Sequence, residues 1–228
     1  MRPLFAELIG FPGAGKTTIA KAAVERLRAA ACDPFFYSKD GKYRFAADDL
    51  GSAIRQCGRA ASLLATRPDA ALRRLLRFLP VFDKTLVFRR VRRRHRDHPL
   101  VLFDQGLIQK LYLMREGDRL GAGDIDAVMQ LLRPDLAELH IVIDTPPADA
   151  AERYFNRAKS SARRPYQQWD EARIAALYAA QRDVLEAILA WLGSEAGAPV
   201  LRLDGEAPAQ QNGARLAEWV IDRLGAQR

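Results

Sequence analysis

Cysteine and histidine are scarce in this sequence. It holds only two cysteines, Cys32 and Cys57, and three histidines in 228 residues. Their spacing matches no zinc-binding or redox motif, which argues against a metal site built from these residue types and against a disulfide framework. Two ordinary thiols are typical of a protein in a reducing compartment. We therefore expect a cytoplasmic protein without structural disulfides.

Long apolar runs, internal repeats and low-complexity tracts are also missing. No run approaches the roughly 20 apolar residues that cross a membrane, and the first residues lack the apolar stretch of a secretory signal. Hydrophobic residues nevertheless make up 49% of the chain, enough to bury a substantial core. We therefore expect one folded domain over residues 1–228, not attached to a membrane.

The positive charge of the chain is concentrated in one segment. Residues 67–98 contain eleven Lys or Arg and three acidic residues, which accounts for the whole net charge of +8. Such a local field could steer an anionic partner, such as a phosphorylated metabolite, a nucleotide or a nucleic acid. The alternative is a solvent-exposed helix face in an arginine-rich protein. Arg73 and Arg77 are our candidate substrate-binding residues in this segment.

A glycine-rich loop at residues 10–17, Gly-Phe-Pro-Gly-Ala-Gly-Lys-Thr, fits the phosphate-binding pattern G-x-x-x-x-G-K-[ST] at every fixed position. It follows a predicted strand at 4–9 and precedes a helix predicted over 18–31. In such a loop, backbone N–H groups surround a phosphate chain, the lysine contacts the β- and γ-phosphates, and the hydroxyl binds Mg²⁺. The predicted phosphate-binding residues are Gly10, Pro12, Gly13, Ala14, Gly15, Lys16, Thr17 and Thr18.

Strand and helix patterns alternate along the chain. This alternation is typical of an α/β fold in which helices cover both faces of a parallel sheet. The polar loops at the carboxyl ends of parallel strands meet at one edge, where open α/β sheets bind ligands. The predicted strands cover residues 4–9, 33–38, 100–103, 139–143 and 200–203. Further predicted helices cover residues 46–66, 69–97, 105–116, 124–133, 170–192 and 208–224.

Acidic residues follow several of these strands, and two of them are candidate site residues. Asp104 comes directly after the apolar run at 100–103, where an acid could bind Mg²⁺, directly or through water, or accept a proton from an attacking hydroxyl. Its alternative role is to begin a turn or cap a helix. If Asp104 has the functional role, Gln105 would lie over an acceptor pocket. Asp40 could contact an acceptor hydroxyl or serve as the base, although Asp-Gly is also an ordinary turn.

Four arginines follow the fourth predicted strand. Arg153 and Arg157 are four residues apart and share a helix face, and Arg163 and Arg164 lie in the basic stretch that comes next. Phosphoryl transfer requires positive charge around the migrating group, which arginines on a movable loop can supply. A solvated basic helix end is the alternative.

Taken together, these motifs resemble the nucleoside monophosphate kinase group of P-loop proteins, and thymidylate kinase most. The resemblance covers most of the chain in order. It rests on the glycine-rich loop, VLFDQG at 101–106, IVIDTPP at 141–147, ERYFNR at 152–157 and VLRLDGEAP at 200–208.

The resemblance implies a P-loop NTPase fold with a five-stranded parallel sheet, a hinged lid at about 153–168 and a basic helical insert on the acceptor side at about 46–98. It implies ATP as the donor, with Mg²⁺ held by Thr17 and Asp104. Catalysis would fall to Lys16, Asp104 and Arg157, and Arg153, Arg163 and Arg164 would contact the nucleotide. Kinases of this group are often dimers, so a homodimer is a further expectation.

Two departures from the family pattern lie on the acceptor side. Thymidylate kinases usually carry Asp-Arg-Tyr after the third strand, where this chain has Asp104-Gln105-Gly106. Their Arg-Glu-Pro after the second strand is replaced by Ser38-Lys39-Asp40. We therefore expect an ATP- and Mg²⁺-dependent small-molecule kinase whose acceptor is a nucleotide, nucleoside or other metabolite, but not thymidylate. The alternatives are a polynucleotide kinase acting on nucleic acid ends and a non-catalytic ATP-sensing module.

Overall fold

The computed structural model describes residues 3–38, 84–113, 122–158 and 169–226, together with Gly58 and Val81. Five strands lie close to the predicted positions, so this part of the sequence interpretation is confirmed. They are β1 (Leu4–Ile9), β2 (Phe35–Tyr37), β3 (Leu100–Phe103), β4 (Leu139–Asp144) and β5 (Val200–Asp204).

Helices connect and cover these strands. Most of the predicted insert at 46–98 and the predicted lid beyond residue 158 lie outside the described residues. Within the predicted helix at 69–97, residues 84–94 are helical and residues 95–97 form a turn. The helices are α1 (Lys16–Ala29), α2 (residues 84–94), α3 (Leu107–Tyr112), α4 (Ala122–Leu132), α5 (Pro147–Ala158), α6 (Glu171–Ser194) and α7 (Ala209–Gly225), with a 3₁₀ turn at Arg133–Asp135.

The sheet is parallel throughout and has the strand order β2-β3-β1-β4-β5. Because all strands run in one direction, their carboxyl ends meet at one edge. The glycine-rich loop leaves β1 at this edge, beside Asp104 after β3 and Asp144 at the end of β4. The predicted α/β fold with a five-stranded parallel sheet is confirmed.

Alternation along β1 separates two halves of the core. Leu4, Ala6 and Leu8 pack on one face of the sheet with apolar residues of α1 and α7. Phe5 and Ile9 point to the other face, which is covered by α2, α3, α4 and α6. Successive side chains of a strand point to opposite faces, so a central strand buried on both sides is apolar at nearly every position. Glu7 is the one charged residue in this strand.

The described end of the basic segment has a structural role. The Arg89 guanidinium forms a two-point ion pair with the buried Asp135 carboxylate, with Nη2 2.7 Å from Oδ2. Arg92 donates to the Leu136 carbonyl at 2.6 Å, and its guanidinium lies 4.3 Å from the centre of the Phe5 ring. These contacts lie near the amino ends of β1 and β4, opposite the edge that carries the glycine-rich loop. Arg73 and Arg77 lie outside the described residues.

Two further observations concern the rest of the described chain. Among the helices that the structure describes, none has the length and apolar character needed to cross a membrane. Tyr178 is buried in the core, and Tyr154, Phe155 and Trp169 pack against it. These aromatic residues therefore contribute to core packing.

Candidate functional site

The glycine-rich loop turns sharply between β1 and α1. Gly13 and Gly15 have φ angles of 95° and 84°, in the left-handed region that glycine adopts without strain. A Cβ atom at Gly13 would also lie 2.5 Å from the Ala150 carbonyl oxygen of α5. Gly13 therefore has to be glycine both for its backbone conformation and for the close approach of α5. Phe11 anchors the loop in the core by stacking on Tyr178, with ring centres 4.7 Å apart.

Lys16 begins α1 and its side chain turns back over the loop. The ammonium donates hydrogen bonds to the Gly10 carbonyl at 2.7 Å and to the Phe11 carbonyl at 2.9 Å. The residue is buried. A cation is thus held beside the start of the loop and at the N-terminus of a helix, where both the ammonium and the backbone N–H groups attract anions.

Thr17 and Asp104 are brought together from positions 87 residues apart. The Thr17 hydroxyl donates to Asp104 Oδ2 at 2.9 Å. The Asp104 backbone N–H donates to the Tyr37 carbonyl at 3.0 Å, which fixes the turn after β3 against the end of β2. Asp104 Oδ1 is buried and has no hydrogen-bond partner among the described residues. A buried carboxylate oxygen without a donor is costly, so this atom is suited to accept a hydrogen bond or to bind a cation.

Gln109 and Tyr112, on α3, contact the first glycine of the loop. The Gly10 N–H donates to Gln109 Oε1 at 3.0 Å and lies 3.1 Å from the Tyr112 hydroxyl oxygen. Gln109 Nε2 donates to the Gly10 carbonyl at 2.8 Å. Both backbone polar groups of Gly10 are therefore satisfied by side chains of α3. Neither residue belongs to a motif that the sequence reveals.

Glu7 is fully buried beneath this contact. Its Oε1 accepts a hydrogen bond from the Gln109 backbone N–H at 2.9 Å. A Cβ atom at Gly106 would lie 2.1 Å from the Glu7 carboxyl carbon, so only glycine leaves room for this side chain. Burial raises the pKa of Glu7 from 4.5 to about 7, although backbone N–H groups of α3 and the charge of Lys84 act in the opposite direction.

His140 is the register partner of Glu7 on β4. Paired residues of neighbouring parallel strands point to the same face, so two titratable groups lie side by side in the sheet. His140 is fully buried, and burial lowers its pKa from 6.5 to about 4. Both side chains therefore favour their neutral forms in the folded protein.

We expect Glu7 and His140 to make the free energy of unfolding depend on pH in opposite directions. The contribution of Glu7 is fully present below pH 4.5 and is lost as the pH rises through about 7. That of His140 is fully present above pH 6.5 and is lost as the pH falls through about 4. Each pKa shift corresponds to a change of about 3 kcal/mol in the free energy of unfolding when the pH moves across the whole interval between the two pKa values.

Urea unfolding of Glu7→Gln and His140→Asn across pH 4 to 8 measures these contributions. Relative to the Gln variant, the wild-type protein should become less stable from pH 4.5 to 7. Relative to the Asn variant, it should become more stable from pH 4 to 6.5. The expectation would be contradicted if the difference in the free energy of unfolding between each variant and the wild type stayed constant with pH.

The remaining predicted site residues are only partly accounted for. The exposed Arg153 donates from Nη1 to the Gly205 carbonyl at 3.0 Å, which links α5 to the turn after β5. Arg157 lies in the last turn of α5, with its side chain outside the described part of the chain. Gln105 is half-buried directly after Asp104. Asp40, Arg163 and Arg164 lie outside the described residues, and their roles stay predictions.

An ion pair near the end of β4 was not foreseen from the sequence. Asp144 Oδ1 accepts a hydrogen bond from Arg182 Nη2 of α6 at 2.7 Å, and Arg202 of β5 lies 3.6 Å from the other carboxylate oxygen. This carboxylate is thus committed to arginines from α6 and β5. Asp104 remains the acidic group that the structure places beside the glycine-rich loop.

Comparison with protein-family models and with curated proteins finds no match to this chain. Within the described ranges, no group of three or more His, Cys, Asp or Glu residues could hold a metal ion. The functional argument therefore rests on the glycine-rich loop, Lys16 and the Thr17–Asp104 contact.

Proposed function

We propose that this protein is an ATP- and Mg²⁺-dependent small-molecule kinase of the P-loop NTPase fold, similar to thymidylate kinase. It would transfer the γ-phosphoryl group of ATP to a nucleotide, a nucleoside or another small metabolite. The observation that carries the proposal is the contact between Thr17 and Asp104. It joins the hydroxyl of the phosphate-binding pattern to a carboxylate at the carboxyl end of the neighbouring strand, which is the pairing that P-loop enzymes use around Mg²⁺.

The donor atoms of this pair suit a magnesium ion. Mg²⁺ prefers oxygen ligands and is usually held by one or two protein groups together with substrate phosphates and water. Thr17 Oγ1 and the carboxylate of Asp104, whose Oδ1 is buried without a partner in the described residues, would hold it. When bound, the ion would neutralise negative charge on the β- and γ-phosphates.

The chain's own groups would bind and orient the nucleotide. The backbone N–H groups of the glycine-rich loop would surround the β-phosphate at the start of α1. The bonds to the Gly10 and Phe11 carbonyls hold the Lys16 ammonium in place before the nucleotide binds. On binding, Lys16 would exchange these bonds for bonds to phosphate oxygens. The predicted lid arginines Arg157, Arg163 and Arg164 would surround the γ-phosphoryl group and exclude water on closure.

The acceptor would enter on the side of β2 and β3. Asp40 and Gln105 follow these strands, and both positions lie where the sequence departs from thymidylate kinases. The protein would therefore act on a compound other than thymidylate. Of the basic segment, Arg89 and Arg92 are already engaged by Asp135 and the Leu136 carbonyl, which favours a small acceptor over a nucleic acid backbone. We propose the cytoplasm as its location, because ATP is available there and a reducing compartment suits a protein with two cysteines in no disulfide pattern.

Nucleotide-dependent thermal stabilisation tests the proposal. A ligand that binds only the folded state at 100 times its Kd stabilises by about 2.7 kcal/mol. ATP with Mg²⁺ should therefore raise the unfolding temperature by several degrees, and EDTA should remove part of the shift. Thr17→Val keeps the side-chain volume and should lose this EDTA-sensitive part. An unfolding temperature that ATP leaves unchanged in the wild-type protein would contradict the proposal.

A further inference from the structure

We infer that Gln109 and Glu7 are positioning residues for the glycine-rich loop, with Gln109 holding the Gly10 peptide and Glu7 holding Gln109. The inference rests on the proposed function for its effect on nucleotide binding. Its structural part, the control of the loop by α3, can be measured without nucleotide. Neither residue belongs to the phosphate-binding pattern itself.

The first step is that the Gln109 side chain makes the hydrogen bonds to Gly10 that a neighbouring strand would make if the sheet continued. The pairing of β1 with β3 extends to Glu7 and Phe103, and that with β4 extends to Ile9 and Val142. Gly10 comes just after these pairs. There the Gln109 side-chain amide accepts from the Gly10 N–H at 3.0 Å and donates to the Gly10 carbonyl at 2.8 Å. A carboxamide provides one acceptor and one donor in a single plane, as a peptide group does.

The second step connects this contact to Lys16. The Gly10 carbonyl accepts from Gln109 Nε2 and also from the Lys16 ammonium, at 2.8 and 2.7 Å. One oxygen atom therefore fixes both the first peptide of the loop and the resting position of the cation. A change at Gln109 should move both, because the Gly10 carbonyl would lose a buried donor.

The third step is the anchoring of Gln109 by Glu7. The Glu7 carboxyl group accepts from the Gln109 backbone N–H at 2.9 Å, and Gly106 leaves the space in which it lies. Glu7 precedes Gly10 by three residues on β1. The two elements therefore hold each other in place. Glu7 of β1 binds the backbone of α3, and Gln109 of α3 binds Gly10 at the end of β1.

A substitution of equal size tests this arrangement. In Gln109→Glu, an ionised carboxylate could accept from the Gly10 N–H but could not donate to the Gly10 carbonyl. It would also attract the neighbouring Lys16 ammonium. When protonated, the same side chain regains one donor and one acceptor. The charged and titratable groups that face this position are Glu7, Lys16 and Tyr112, so both measurements are compared with the wild type at pH 8, where the carboxylate is ionised.

Two measurements are made on each variant: hydrogen exchange of the Gly10 amide without nucleotide, and the Kd for ATP with Mg²⁺. At pH 8, Gln109→Glu should weaken ATP binding by about threefold to tenfold, the effect of one lost hydrogen bond, because the Gly10 carbonyl keeps Lys16 as its other donor. Gln109→Met lacks both polar groups and should weaken ATP binding as well. It should also increase Gly10 exchange, because only the Tyr112 hydroxyl then accepts from the Gly10 N–H, and it keeps the test valid if the Glu variant does not fold.

Glu7 is tested by a conservative and a disruptive variant. Glu7→Gln keeps an acceptor for the Gln109 N–H and should stay within about threefold of the wild type in both measurements, whereas Glu7→Leu should resemble Gln109→Met. Gln211→Glu, an exposed change of the same type on α7, should leave both unchanged. Wild-type Gly10 exchange in Gln109→Met would overturn the positioning inference. Altered exchange together with a wild-type protein that binds no ATP would overturn the proposed function and support the positioning inference.

Discussion

Lys16→Ala is expected to lower phosphoryl transfer by at least ~10²-fold, the effect of losing one key charge-stabilising group in an active site. The ammonium lies at the start of the glycine-rich loop, 2.7 Å from the Gly10 carbonyl and 2.9 Å from the Phe11 carbonyl. In the proposed reaction it moves onto the β- and γ-phosphates, where no other described side chain of this loop carries a positive charge. The rate of ADP release at saturating ATP measures the effect.

Lys21→Ala is the matched control for this variant. Lys21 is an exposed residue of the same helix α1, so its removal changes the net charge equally. This control should retain the wild-type rate within about twofold, as is usual for exposed positions. A Lys16→Ala variant that keeps near-normal turnover would contradict the role assigned to the loop.

Asp104→Asn is expected to lower turnover by about 10²-fold or more and to raise the Mg²⁺ concentration needed for half-maximal activity. The amide oxygen can still accept the hydrogen bond from Thr17, so the local geometry is retained while the negative charge is removed. Asp104 Oδ1 is buried without a partner in the described part of the chain. Replacing such a carboxylate should leave the unfolding temperature unchanged or raise it, as is common for groups kept for function.

A Mg²⁺ titration of the initial rate, together with a thermal unfolding curve, tests both parts of this prediction. Asp222→Asn, an exposed change of the same kind on α7, serves as the control and should match the wild type in both measurements. If Asp104→Asn lost activity with an unchanged Mg²⁺ requirement, Asp104 would not hold the ion, and a role as proton acceptor would become the better account.

The sheet could be predicted from the sequence because its strands are short apolar runs flanked by turn residues. The run at 4–9 became β1 without a change of boundary, and the run at 100–103 became β3. Fully buried parallel strands produce such runs directly, and the helices between them show the longer period of an amphipathic face. The largest difference lies after β3, where a helix predicted over 105–116 covers only Leu107–Tyr112 before a turn at Leu113.

The candidate site could be predicted only in part from the sequence. The loop pattern and the acid after β3 could be found because each is a local signal, and their contact through Thr17 follows from the parallel sheet. Glu7 and Gln109 were missed because their importance depends on contacts with Gly10 and α3 that span about 100 residues of sequence. One available signal was Glu7 itself, a charged residue in the middle of an otherwise apolar strand, which requires a buried partner.

The basic segment shows why charge counts do not predict binding surfaces. Arg89 and Arg92 belong to the run of positive charge in residues 67–98, yet both stabilise the chain around the 3₁₀ turn and the start of β4. An arginine that packs its guanidinium on Phe5 and pairs with buried groups contributes to the fold. No sequence pattern distinguishes these arginines from exposed ones, because Asp135 and Phe5 are distant in the chain.

The measurement that tests the central claim most directly is phosphoryl transfer from ATP to a panel of acceptors, followed by mass spectrometry. The purified protein is incubated with ATP labelled with ¹⁸O in the γ-phosphoryl group, Mg²⁺, and nucleosides, nucleoside monophosphates, sugars and short oligonucleotides. The account predicts one class of small acceptor that gains a labelled phosphoryl group, with matching ADP release that is lost in Lys16→Ala. Labelled oligonucleotides alone would identify a polynucleotide kinase. ATP binding without transfer to any acceptor would contradict the kinase account and support a nucleotide sensor.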